Sequence, residues 1–278
     1  MEANTNQFSI DGRSMSYLDV GTGPVILFGH SYLWDCEMWR PQIEVLSRHY
    51  RCIVPDFWAH GRSEAMPEQT RTLKDYAGQM LALMDHLAVE RFALVGLSVG
   101  GMWGCELVSL APQRVTSLVL MDTFVGLEPE VNNAKYFAML ETIAMARLVP
   151  TPIIEAVTPL FFAKSTLAED SELVRGFTAK LAQVKDQQAV ELARIGRMIF
   201  GRRDQMEEVE RFALPTLIAV GQQDMARPVL ESYLMHDAIT GSQLVQIADA
   251  GHISNLEQPE RVTQLLADFL AQYHPLQA

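Results

Sequence analysis

Between Phe92 and Leu110 the chain reads FALVGLSVGGMWGCELVSL, and few folds accommodate such a stretch. A short apolar run rich in strand-formers meets Gly96-Leu97-Ser98-Val99-Gly100, and residues at helical spacing follow. The pattern predicts strand, tight turn and helix, with a serine at the apex. A reversal over so few residues needs small neighbours, so Gly96 and Gly100 should let the strand and helix backbones approach. The serine would sit in a strained conformation with its oxygen clear of the sheet. The helix behind it would aim unpaired N–H groups and a partial positive charge at the same spot. A nucleophile beside an anion site suits acyl transfer. Glycine–serine turns also recur by chance, so the rest of the chain must carry the reading.

On either side, strands and helices alternate. Residues 7–10 and 14–20 read as short strands joined at Asp11-Gly12, a hairpin signal. Residues 24–30 and 51–57 form continuous apolar runs suited to strands buried on both faces. A rough helical stripe over 38–48 lies between them. Leu73, Tyr76, Ala77, Met80, Leu81, Met84 and Leu87 fall at helical spacing, predicting an amphipathic helix over 72–88. Residues 115–122 read as another buried strand. This alternation argues a mostly parallel sheet covered on both faces. From about 126 to 211 no good strand is visible. Helix-like segments at 132–147, 152–163, 170–183 and 187–200 are separated by Pro150, Pro152, Pro159 and Gly201. Alternation then resumes with strands at 214–221 and 242–248 and helices at 228–238 and 258–272. The expected fold is α/β: eight strands, helices on both faces, and a helical insertion after the sixth strand. Residues 1–125 and 212–278 would form the core.

A chain of 278 residues can build one large core with an insertion. A net charge of −12 argues against nucleic-acid and anionic-membrane partners. Cys36, Cys52 and Cys105 are odd in number and irregularly spaced, which suits neither a disulfide framework nor a zinc site. A reducing, cytoplasmic setting fits them best. The start MEANTNQFSIDG lacks the basic and apolar regions of a signal peptide, and no apolar run reaches membrane-spanning length. No metal or dinucleotide motif and no phosphate loop is present, so no cofactor is expected.

In open α/β sheets, sites form at the carboxyl ends of strands. There the sequence places His30-Ser31-Tyr32, Asp56 with His60-Gly61, Ser98, Asp122, Gly221-x-x-Asp224 and Gly251-His252. Serine needs a base within hydrogen-bond reach, and that base needs an orienting carboxylate. Ser98, Asp224 and His252 supply the three types in that order. Asp122 is a rival acid, and Asp224 could instead cap the helix near 228–238.

The stretches FGHSYLWDCEMW, VPDFWAHGRSE, LVGLSVGG, VGQQDMARP and DAGHISNLEQPE together resemble a capped α/β-hydrolase, in family order and spacing from residue 25 to 260. The resemblance implies Ser98 as nucleophile, Asp224 as acid and His252 as base. It implies the backbone N–H groups of Tyr32 and Val99 as oxyanion-hole donors, and residues 126–211 as the cap. Asp56, His60, Gly61 and Arg62 would shape a loop under the site, and His30 would hold the oxyanion loop. Ser31 departs from the family, which usually has glycine after this histidine. If the position needs glycine's backbone freedom, the loop must change.

A triad of this kind would cleave a carboxylic ester through an acyl-enzyme. The rate should fall as acid protonates the imidazole base, whose unperturbed pKa is about 6.5. Tyr32, Leu33, Trp34, Trp58, Trp103, Phe124 and Met225 are candidate pocket walls, with Phe137, Met139, Met145, Phe161, Phe162, Met198 and Phe200 added from the cap, although for most of these packing of the cap onto the core is the better expectation. Such walls suit a small to medium hydrophobic ester or lactone as the partner. A lactonase, including one for acyl-homoserine lactones, a carbon–carbon bond hydrolase or a perhydrolase could use the same machinery. Aspartate-dependent dehalogenases and epoxide hydrolases do not fit Ser98. From a different class, a ligand-binding protein could keep the pocket and turn over poorly. An exposed apolar cap face would serve a homodimer, but no residue pattern demands one.

Overall fold

The computed structural model describes residues 5–275 apart from Asp170. Among the described residues the strands are β1 (Thr5–Ile10), β2 (Arg13–Val20), β3 (Val25–Gly29), β4 (Arg51–Pro55), β5 (Phe92–Leu97), β6 (Val115–Met121), β7 (Thr216–Gly221) and β8 (Gln243–Ile247). They form one sheet in the order β1-β2-β4-β3-β5-β6-β7-β8. Only the β1–β2 and β2–β4 pairings are antiparallel. β3, β5 and β7 are buried along their whole length, as strands covered on both faces must be.

The core helices are α1 (Arg40–Leu46), α2 (Leu73–His86) and α3 (Val99–Leu110). Between β6 and β7 follow α4 (Glu130–Ala146), α5 (Thr151–Phe161), α6 (Lys164–Ala168), α7 (Glu172–Gln183), α8 (Asp186–Phe200) and α9 (Met206–Val209). The chain closes with α10 (Val229–Ala238), α11 (Ser254–Glu257) and α12 (Pro259–Tyr273). The expected α/β architecture, with a helical insertion after the sixth strand, is the one observed. Pro159, read as a separator, lies inside α5 near its end.

α2 begins with a reciprocal cap. Thr72 accepts the Asp75 N–H, and Asp75 accepts the Thr72 N–H, which together hold about 1 kcal/mol. From β3 the chain crosses to β4 by way of α1, then returns over β3 to β5 by way of α2. Right-handed crossovers put these two helices on opposite faces. α1 packs against α12, where buried Gln42 donates to the Thr263 hydroxyl at 3.3 Å, and α2 packs against α3. The reversal of strand order leaves a crevice outside the carboxyl ends of β3 and β5, roofed by the helices between β6 and β7.

Candidate active site

Ser98 joins β5 to α3 with φ 55° and ψ −118°, a conformation that costs a non-glycine residue energy. The glycines on either side make the turn sterically possible. A Cβ on Gly96 would lie 2.4 Å from the Gly100 backbone, and one on Gly100 would lie 2.2 Å from the Gly29 carbonyl oxygen. Val99 opens α3, so its N–H has no intrahelical partner.

His252 Nε2 lies 2.9 Å from Ser98 Oγ, and His252 Nδ1 lies 2.9 Å from Asp224 Oδ2. With Nδ1–H donating to the carboxylate, Nε2 accepts from the serine hydroxyl. Asp224 Oδ1 accepts the N–H groups of Ala226 and Arg227, both at 2.8 Å, which fixes the carboxylate plane. α10 starts only at Val229, so Asp224 is not its cap. The rival acid, Asp122, is also buried, but it does not bond the imidazole. Its Oδ1 accepts the Gly221 N–H at 2.8 Å, and its Oδ2 accepts the Ser254 hydroxyl at 2.5 Å. Asp122 thereby ties together the loops that carry Asp224 and His252. Burial first, and the neighbouring Asp224 charge second, push its pKa well above the ordinary carboxylate range.

The loop after β3 is held by two neutral histidines. His30 donates Nδ1–H to the Ser31 carbonyl at 2.7 Å and accepts the Phe57 N–H at 2.7 Å. His60 donates to the Trp58 carbonyl at 2.8 Å and accepts the Leu33 N–H at 3.1 Å. Asp56 accepts the Cys36 and Arg62 N–H groups from below. Among the described residues the Tyr32 N–H makes no hydrogen bond to the chain. Ser31 needs none of glycine's freedom, because the left-handed residue of the loop is Leu33 at φ 69°. The Tyr32 phenol donates to the Leu192 carbonyl of α8 at 2.7 Å, the Trp34 ring stacks on Phe177 of α7, and Asp35 pairs with Lys180. The loop is therefore bound to the overlying helices at three successive side chains bar Leu33. Tyr32→Phe removes the first tie, while the Leu192 carbonyl keeps its bond within α8, a loss of about 1 kcal/mol. The expected outcome is a melting temperature a few degrees lower and a slower turnover, read by thermal melts and steady-state kinetics.

Burial, and then the His30 charge, push the His60 pKa down to about 3. The native protein therefore refuses a proton that the unfolded chain takes near pH 6.5. Stability is full above pH 6.5 and declines as the pH falls toward 3, by on the order of 4 kcal/mol. Melting temperatures from pH 7 to 4 should fall more steeply for the wild type than for His60→Gln. Equal slopes would show that this histidine does not set the acid limit.

Ser98 and His252 lie at the floor of a cavity also bordered by Ser31, Tyr32 and Leu33. Of the other expected core walls, none lines it. Trp103 projects from α3 into the core, in the space that Gly29 leaves open and against the Tyr76 ring. Trp58 is in the core, donating to Gln79 at 2.8 Å. Trp34 is taken up by its stack on Phe177, and Phe124 covers Gly126. Met225 is 63% exposed on the outside, where Ala226 and Arg227 face the cavity instead. From the overlying helices Met139, Phe161 and Phe200 line it, while Phe137 packs under Arg197, Met145 is exposed, Phe162 joins the Phe177 cluster and Met198 borders a separate groove.

Several residues had no sequence signal. Glu257 accepts the N–H groups of Gly251 and Ala163, and His252 N–H donates to the Phe161 carbonyl at 3.0 Å, so the His252 loop is fastened to the end of α5. Arg227 and Arg202 share the buried Glu128. Apart from Gly251 and Glu257, six residues apart, these partners are separated by tens of residues, beyond the reach of any local pattern. Among the described residues no cluster of three or more His, Cys, Asp or Glu side chains could hold a metal ion, and no helix is long and apolar enough to cross a membrane.

The fold agrees with the comparisons. A family profile described as alpha/beta hydrolase fold matches residues 24–259, and the chain belongs to that family. It is similar to 3-oxoadipate enol-lactonase 1 of Acinetobacter baylyi, with 27% identity over 89% of this chain and 88% of that protein. Among solved structures, a thermophilic esterase from Thermogutta terrifontis with malate bound has 28% identity and a TM-score of 0.88, covering 98% of this chain and 100% of the other. The enol-lactonase from Burkholderia xenovorans has 26% identity and a TM-score of 0.85 over 96% and 100% of the two chains. This chain is a hydrolase of that fold.

Proposed function

We propose that the protein is a serine hydrolase that cleaves small to medium hydrophobic carboxylic esters through an acyl-enzyme. The observation that carries this reading is the continuous hydrogen-bonded chain Ser98–His252–Asp224 on the floor of a largely apolar cavity. His252 takes the Ser98 proton as Oγ attacks the carbonyl carbon. The N–H groups of Tyr32 and Val99 hold the oxyanion, and His252 returns the proton to the leaving alcohol. Water, deprotonated by His252, then releases the acid. Asp224 keeps the imidazole in the working tautomer and stabilises its cation. Residues 126–211 act as the cap. The three cysteines are buried and free, which suits a reducing, cytoplasmic setting.

Lactone hydrolysis is the second reading. A lactone is an ester closed on itself, so the same steps apply, and two of the similar proteins are named enol-lactonases. Hydrolysis of p-nitrophenyl esters of rising acyl length, run beside a panel of lactones, tests both. Turnover of the open-chain esters supports the first reading. Turnover of lactones alone supports the second, and turnover of neither by folded protein overturns both.

A further inference from the structure

Above its floor the cavity is walled mostly by hydrocarbon, and two polar side chains with hydrogen-bonding capacity to spare interrupt it. One is Tyr136 of α4, whose ring stacks on Phe200, also on the lining, with centroids 4.4 Å apart. The other is Arg227, from the loop after β7. Arg227 is 4% exposed, yet its guanidinium is not saturated. Nη2 donates to both Glu128 oxygens, at 2.8 and 2.6 Å. Nη1 is buried with no hydrogen-bond partner among the described residues, and Glu231 Oε2 stands 3.6 Å away, too far for a bond. The Tyr136 phenol faces the same guanidinium. Burial raises its pKa, and the Arg227 charge opposes that rise. A guanidinium only donates, so toward Arg227 the phenol turns its oxygen, and its proton is left for the cavity. The other phenol on the lining, Tyr32, is already committed to the Leu192 carbonyl.

We propose that Tyr136 and Arg227 form a subsite for an uncharged carbonyl oxygen of the substrate, a ketone or an amide set apart from the bond that Ser98 attacks. The proposal rests on the acyl-transfer reading above and narrows its substrate from a plain hydrophobic ester to one that carries a second carbonyl. Donors that meet only hydrocarbon cost free energy, and a substrate acceptor relieves that cost. Charge decides the kind of acceptor. Arg227 and Arg202 together face Glu128 and Glu231, so the cluster has no surplus positive charge. A substrate carboxylate would lose its water here and stand against two fixed carboxylates. A ketone oxygen accepts the phenol proton, and beside it Nη1–H, and brings no net charge. Tyr136 and Arg227 are therefore specificity-determining residues that touch the substrate away from the reacting atoms.

The test uses pairs of esters that differ by one oxo group: p-nitrophenyl 4-oxopentanoate against pentanoate, p-nitrophenyl 5-oxohexanoate against hexanoate, and 4-oxopentyl against pentyl acetate. The ratio of kcat/KM, oxo over alkyl, is measured for the wild type and for Tyr136→Phe, which keeps the ring and its stack on Phe200. Comparing the two proteins cancels the intrinsic reactivity that the oxo group confers. In at least one pair the wild-type ratio is expected to exceed that of the variant by about tenfold, the worth of one hydrogen bond. The pair that shows it identifies the arm of the substrate that reaches the subsite. If the variant fails to fold, the wild-type ratios are divided instead by those for hydroxide-catalysed hydrolysis, and the same excess of about tenfold is expected. Equal ratios in every pair would overturn the subsite while leaving acyl transfer intact. Faster turnover of the p-nitrophenyl monoester of adipic acid than of the 5-oxohexanoate would overturn it in favour of a carboxylate site. Failure of every ester, with no labelling of Ser98 by a fluorophosphonate, would overturn the acyl-transfer reading and the subsite with it.

Discussion

Ser98→Ala is expected to lower kcat for ester hydrolysis by about six orders of magnitude and to leave the fold unchanged. The side chain is small and its backbone is held from outside. Ser98 N–H donates to the Met121 carbonyl at 2.9 Å, and its own carbonyl accepts the Thr123 hydroxyl at 2.6 Å. Neither bond involves Oγ. Removing Oγ takes away the proposed nucleophile and its hydrogen bond at 2.9 Å to His252 Nε2. Alanine can take up the turn conformation at a cost similar to that of serine, so melting temperature should stay within a few degrees. Substrate should still bind, because the cavity walls are unaltered. A variant that retains more than about a thousandth of wild-type kcat would show that another group attacks the carbonyl.

The second large effect separates two aspartates. Asp224→Asn is expected to reduce kcat by about four orders of magnitude, because an amide at that position invites the wrong imidazole tautomer. KM should change little. Asp122→Asn removes a buried carboxylate from the same corner but bonds neither imidazole nitrogen. Its expected effect on kcat is about tenfold or less, through the loops that it ties at Gly221 and Ser254. The two variants differ by one atom from wild type at positions that both end a strand. If Asp122→Asn proved the more damaging in kcat, the assignment of the acid would move from the seventh strand to the sixth.

Much of this was readable in the chain because its information is local. The strand runs 24–30 and 115–122, the 72–88 stripe and the glycines around Ser98 each report on contacts within a few residues. The order of the strand-end motifs then placed Ser98, Asp224 and His252 at one edge of a parallel sheet, where the structure brings them together. The walls of the cavity were much less legible. Trp103 and Met139 both lie on helices with apolar residues on more than one face, so periodicity could not say which face meets the cavity. Aromatic residues drew attention, yet most of the lining is aliphatic, drawn from helices whose tilt no local pattern encodes. α6 and α9 are too short to show a helical period, at five and four residues. The ties that position the site, such as Tyr32 to Leu192 and Glu257 to Ala163, join residues far apart in sequence.

The most direct measurement is peptide mass mapping of the folded wild type after brief treatment with a fluorophosphonate at neutral pH. The account predicts one adduct per chain, on the peptide containing Ser98, and its absence from Asp224→Asn over the same interval. Adduct formation elsewhere in the chain, or none on a protein shown by its melt to be folded, would contradict it.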